Sequence, residues 1–296
     1  MEKNQVKQTV VVNMIEYELP KVKEMNVTGI GISEIAARTC YGSFDKSENG
    51  EIKQYDFGQT SKGFNDIEHS KLLNELAWVH HHHSILEHSV ISYHVKGISR
   101  GVLQEHARHR IQGISVMSSR YTMSSILNAF ITAKVISDVS VPTAKGIFYT
   151  LLETLDMFVT VDPEYNKIET GAMYDKLMFQ FIKLGSDGFN KLALSKDGIE
   201  LYNTGKPKVS IKTVMEFFDK LETARGKRNV GDNFKHIVTD NWKTEMIITF
   251  NLRSLKNYFE LRDSGAAWFQ IRWLAEAMIK VTPKKYLKLI HKGYRE

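Results

Sequence analysis

The chain carries one cysteine, Cys40, in 296 residues. A lone thiol closes no internal disulfide and leaves no C-x-x-C pair for zinc or dithiol redox chemistry. No apolar run approaches the roughly 18 residues that a membrane span needs. Residues 1–19, MEKNQVKQTVVVNMIEYEL, alternate polar and apolar side chains where a secretory signal would hold a continuous apolar core. These absences set the expectation of a cytoplasmic protein with no membrane partner. Charge is equally short of extremes. Lysine and arginine total 40 against 34 acidic residues, a net +6, with no dense lysine run or basic tail. That excess permits an anionic partner without demanding nucleic acid, and a small phosphorylated molecule would satisfy it.

What is present reads as an ordinary globular chain, 42% hydrophobic and 25% charged. QTVVVNMIEYEL is rich in β-branched residues and predicts a first strand. SEIAARTCYG predicts a helix capped by Ser33 and closed before Gly42. KLLNELAWVHHH has helical spacing through Leu72, Leu73, Leu76 and Val79. SVISYHVKG alternates like a half-buried strand, and SRGVLQEHARHR returns to helix with Val102, Leu103 and Ala107 on its inner face. Residues 122–232 are less legible. TAKGIFYTLLETLDMFVTV and VSIKTVMEFFDKLETARG read as amphipathic helices joined by polar loops around Pro163 and Lys206-Pro207. TEMIITFN then predicts a strand, LRSLKNYFELR and AAWFQIRWLAEAMIKV two helices, and Pro283 an interruption before a basic final helix. Mixed strands and helices without a βαβ rhythm indicate an α+β fold, expected as a single domain with a largely helical middle region.

Several chemical motifs fail on inspection. GIGISE has Glu34 where a dinucleotide fingerprint needs its third glycine. The run His80 to His83 invites a metal, but a histidine partner for Glu87-His88 would have to stand at position 84, which is Ser84. His83 and His88 are five apart, about 140° around a helix, and cannot share a face. No metal site is expected, and the histidines read as a polar pocket wall. Cys40 has no local base pattern, so a small buried side chain is its ordinary reading and a nucleophile the rarer one.

ARHRIQGISVMSSRY, residues 107–121, is harder to set aside. Arg108, His109 and Arg110 stand together, Ser118, Ser119 and Arg120 follow, and no acid lies between Arg108 and Arg120. Guanidinium forks match phosphate oxygens and serine hydroxyls add donors beside them. An RNA-binding face would want neighbouring aromatic rings for stacking, and only Tyr121 is near. A second cationic region lies in FNLRSLKNYFELR. Arg253 and Asn257 share one face of its helix, while Arg262, nine residues on, points to about the opposite side. Two polar faces suggest two ligands, or one ligand and a subunit contact.

Arg108-His109-Arg110, seven residues, Ser118, and then Arg120-Tyr121 resembles the signature of the flavin-dependent thymidylate synthases. AARTCYG, SILEHSVISYHV, FNLRSLKNYFELR and the helix after it follow in the family's order, so the resemblance covers about residues 27–121 and 233–280. It implies reductive methylation of dUMP to dTMP, with methylenetetrahydrofolate as carbon donor, NADPH as reductant and bound FAD, in a homotetramer of α+β subunits. A non-catalytic nucleotide- or RNA-binding protein on the same scaffold is the alternative. By position, His82, Ser84, Arg108, His109, Arg110, Asn251, Arg253 and Asn257 correspond to flavin-lining residues. Glu105, Arg108, Ser118, Ser119, Arg120, Lys235 and Arg262 correspond to dUMP contacts, with Arg262 the residue that activates the pyrimidine. The chain departs from the family pattern in four places. Gly113 stands where many members have serine, Ser115-Val116 replaces an Asn-Glu pair, Glu105 replaces glutamine (Gln104 is adjacent), and Lys235 sits near the place of an arginine.

Overall fold

The computed structural model describes residues 7–55, 67–122, 124–136, 141–187 and 235–295. The expected helix in VSIKTVMEFFDKLETARG and the loop at Lys206-Pro207 lie outside the described residues. Contacts divide the chain into two compact units, residues 1–18 with 117–243 and residues 19–116 with 244–296. Strands and helices mix throughout, in the α+β manner expected.

The first unit opens on a hairpin. The stretch expected as one strand is two, β1 (Thr9–Val12) and β2 (Ile15–Glu18), paired antiparallel with Val12 opposite Ile15. Asn13 and Met14 between them both have positive φ, 51° and 65°. A two-residue turn of that kind matches the right-handed twist of the strands it joins, so the β-branched run folds back on itself. Helices Ser124–Ile136, Val141–Thr154 and Pro163–Asp187 follow. The Val141–Thr154 helix stops well short of the expected end near residue 161, because Phe158 and Thr160 leave it to form bridges with Trp242 and Tyr17. Phe130, Phe148 and Tyr174 pack ring on ring at the centre of this unit's core.

The second unit is built on a four-stranded sheet of order β3-β4-β6-β5, with β3 Lys21–Val27, β4 Val90–Ser99, β5 Gly113–Val116 and β6 Lys243–Asn251. In β4 and β6 alternate residues are buried (Ile91, Tyr93, Val95; Met246, Ile248, Phe250), so one face of the sheet makes the core. Helices Gly31–Tyr41, Lys71–Trp78, Leu252–Arg262, Phe269–Val281 and Lys284–Ile290 contribute its other apolar side chains. Gly42, at φ 54°, closes the Gly31–Tyr41 helix in the left-handed conformation that glycine adopts without cost.

Four further local expectations change. Ser33 does not cap the Gly31–Tyr41 helix. It lies inside the first turn and shares a 2.7 Å hydrogen bond with the buried Ser89 hydroxyl. The Lys71 helix ends at Trp78, and after a turn with His81 at positive φ the chain enters a 3-10 segment, His83–Glu87. Helix Arg100–His106 ends before the arginine cluster, and its buried positions are Val102 and His106, whereas Ala107 is exposed. Cys40 is exposed rather than buried.

Candidate functional site

Ser89 organises the ground beneath the site. Its hydroxyl donates to the Gly29 carbonyl, while its own carbonyl accepts from the Leu252 amide at 2.9 Å. The start of the Leu252–Arg262 helix is thereby tied to the end of the His83–Glu87 segment. Asn251 caps the same helix, its Oδ1 accepting from the Ser254 amide at 2.8 Å. An extended β6 therefore passes directly into a helix whose polar side faces a cleft of about 1120 Å³.

Arg108, His109, Arg110, Asn251, Arg253, Asn257, Glu105 and Arg262 all line this one cleft. Helical phase points Arg253 and Arg262 to opposite sides, yet both line this one cleft. Arg262 is the last residue of its helix, and its long side chain reaches the 105–109 segment. Its Nε donates to Nε2 of His109 at 2.9 Å, and its two terminal nitrogens donate to the Glu105 carboxylate at 3.1 Å and the Glu105 carbonyl at 3.3 Å. Helical phase is a weak guide for a terminal arginine, because the side chain spans more than the helix radius. Arg253 pairs with Glu87 at the opposite end of the helix.

Five cations (Arg108, Arg110, Arg253, Lys256, Arg262) face three carboxylates (Glu87, Glu105, Glu260) in the cleft. Arg108 is 74% exposed and Arg253 55%, whereas Arg262 is only 17% exposed. The first two present solvated forks that an anion could collect at low cost, and the third is already oriented. His109 is pushed down to about 4 by burial and by the Arg262 guanidinium, with Glu105 opposing. It is neutral at ordinary pH and can accept from Arg262.

His82 and Ser84 are exposed and stand beside this cleft rather than in its wall. His82 Nδ1 lies 2.8 Å from the Tyr41 hydroxyl, while the neighbouring His83 and Glu87 line the cleft. Ser118, Ser119, Arg120 and Lys235 fall in the other compact unit. There Ser119 is buried at the start of the short Ser119–Thr122 helix, and Lys235 is exposed. Among the described residues no group of three histidine, cysteine or carboxylate side chains could hold a metal ion, and no helix is long and apolar enough to cross a membrane.

Sequence reading missed the layer behind the cleft. His106 and Tyr258 are fully buried there and Gln112 half-buried; in the cleft wall itself it missed Lys256, buried with its Nζ over the Trp78 ring. Gln112 lies within ARHRIQGISVMSSRY, and Lys256 and Tyr258 within FNLRSLKNYFELR, but neither charge clustering nor family position singles them out. Glu87 had entered only as half of a failed metal pattern.

A cleft of this size with arginine forks, amides and a neutral histidine fits a nucleotide-type anion, and a dinucleotide with its pyrophosphate is within its range. Residues 28–286 match the family described as thymidylate synthase complementing protein, and the chain belongs to that family. It is 26% identical over 265 residues to the flavin-dependent thymidylate synthase of Wolinella succinogenes, covering 88% of this chain and 93% of that one. To the Helicobacter pylori enzyme of the same name it is 25% identical over 260 residues, covering 88% and 91%. In fold it resembles the crystal structure of Helicobacter pylori thymidylate synthase X with FAD and dUMP, at a TM-score of 0.55 and 22% identity, covering 94% of this chain and all of that one.

Proposed function

We propose that this chain is a flavin-dependent thymidylate synthase that converts dUMP to dTMP, taking the carbon from methylenetetrahydrofolate and its reducing equivalents from NADPH by way of FAD. The observation that carries the reading is the single cleft in which Arg108, Arg110, Arg253, Asn257 and Arg262 converge, in a chain of this family. Similar proteins carry that enzyme's name, and a structure of the same fold holds FAD and dUMP. When bound, FAD supplies hydride-transfer chemistry.

In this reading Arg253, Asn257, Asn251, His109 and Arg110 hold the flavin, with His82 and Ser84 at its edge. Arg108 borders both flavin and dUMP. Arg262 and Glu105 contact dUMP from this cleft. Arginine stays protonated at any working pH, so Arg262 acts as a fixed cation beside the pyrimidine and not as a base. Held by His109 and Glu105, it meets growing negative charge without reorganising. Glu105 keeps a carboxylate beside it that balances part of its charge while the ligand is away. The working protein is a cytoplasmic homotetramer.

The test is direct. Purified protein is yellow, with a flavin spectrum near one per subunit, and forms dTMP from dUMP when supplied with methylenetetrahydrofolate and NADPH. A colourless protein that takes up no added FAD and makes no dTMP overturns the reading in favour of a non-catalytic nucleotide- or RNA-binding protein.

A further inference from the structure

Behind Arg262 lies a buried polar chain whose proton positions follow from its partners. Gln112 Nε2 donates to two backbone carbonyls, His109 at 2.6 Å and His106 at 3.2 Å. Carbonyls only accept, so the amide of Gln112 has one orientation, with Oε1 turned to His106 Nε2 at 2.8 Å. An amide oxygen also only accepts, so Nε2 of His106 carries the ring proton. His106 is fully buried and neutral, so its Nδ1 is a bare acceptor. The Tyr258 hydroxyl, 3.2 Å away and equally buried, must then be the donor. The Tyr258 ring in turn packs edge-on against His109, centroids 4.7 Å apart. Finally, His109 Nε2 accepts from Arg262, which places its own proton on Nδ1. Each assignment leaves the next group one choice.

Resting on the thymidylate synthase reading, we propose that Gln112, His106 and Tyr258 are positioning residues for dTMP formation: they lock the His109 ring and its backbone, and His109 aims the Arg262 guanidinium into the cleft. None of the three lines the cleft. Gln112 clamps the turn that follows the Arg100–His106 helix by bonding both its carbonyls, and His106 fixes Tyr258 as the wall against which His109 stands. The residue types are specific to the task. A glutamate at 112 could not donate to the two carbonyls, and a phenylalanine at 258 would keep the wall but lose its tether.

The test uses Gln112→Leu and Tyr258→Phe in the flavin-loaded enzyme. Both variants keep flavin content and a folded thermal transition, and both lose about tenfold to a hundredfold in kcat for dTMP with little change in KM for dUMP. A role through Arg262 makes the losses non-additive. In an Arg262→Lys background Gln112→Leu costs little further, whereas a merely structural effect would cost the full factor again. A second readout needs no activity. Nitrogen-15 spectra of labelled histidine show His106 protonated at Nε2 and His109 at Nδ1, and Gln112→Leu shifts the His109 signals. A His109 proton on Nε2, full additivity, or unchanged kcat and spectra in both variants overturns the proposal. If the wild-type protein makes no dTMP, the functional reading fails, and the ring tautomers still decide whether the lock exists.

Discussion

The Nζ of Lys256 lies 3.1 Å from the centroid of the Trp78 ring and makes no hydrogen bond. Lys256 is 5% exposed, and burial pushes its ammonium down to about 8. A charge held this way gains from the ring face but forfeits its hydration. The folded chain therefore releases this proton before the unfolded chain does, and stability rises as pH climbs from about 8 towards 10.5. Lys256→Met should remove that rise and leave the melting temperature near neutral pH unchanged or higher. A fall of more than about 5 °C, read by circular dichroism, would show that the ring contact outweighs the desolvation.

Two histidines, His106 behind the cleft and His109 in its wall, set an acid limit. His106 and His109 are both pushed down to about 4, chiefly by burial, from an ordinary 6.5. As pH falls from 6.5 to 4 the unfolded chain takes up protons that the folded rings refuse, so stability drops in that window and levels below it. His106 alone accounts for about 3 kcal/mol of the loss. Denaturant melts across pH 4–7 should show the drop, and His106→Gln should shrink it, leaving the part due to His109.

Arg253 pairs with Glu87 on the exposed rim, so its fork is present at the cleft but only lightly held. Arg253→Ala should weaken FAD binding by about 1.5–3 kcal/mol, the range for a hydrogen bond to a charged group. Flavin titration of the apoprotein measures it. Unchanged affinity would remove Arg253 from the flavin site.

Arg262→Ala should remain yellow and still be reduced by NADPH, while dTMP formation falls about 100- to 1000-fold. Loss of flavin from a folded variant would place Arg262 at the cofactor instead, and full synthesis would take it out of the mechanism.

Cys40 is exposed near the end of the Gly31–Tyr41 helix and is not among the residues of the cleft. Cys40→Ala should keep most dTMP-forming activity in a coupled assay. Complete loss with flavin intact would revive attack by a thiol.

Much of the second unit could be read from sequence because its signals are local. The alternation in β4 and β6, the apolar spacing in Leu252–Arg262 and Gly42 after Tyr41 each specify an element through neighbours a few residues away. The arginines of the cleft were equally legible, since Arg108, Arg110 and Arg253 are named by type and clustering. Local signals also misled. Ser33 looks like a cap until Ser89, 56 positions on, claims its hydroxyl.

What only the tertiary structure decided is where long side chains end and which proton each buried group carries. Arg262 and His109 are 153 positions apart, and Tyr258 and His106 are 152. No period or spacing encodes such a pair. Helical phase sent Arg262 away from Arg253, yet the side chain reaches back into the same cleft from the helix end. Composition and pattern choose the elements because propensity, capping and amphipathicity act over single turns. A buried hydrogen-bond chain forms only once sheet and helices have excluded water, and then each donor must find the one acceptor left to it.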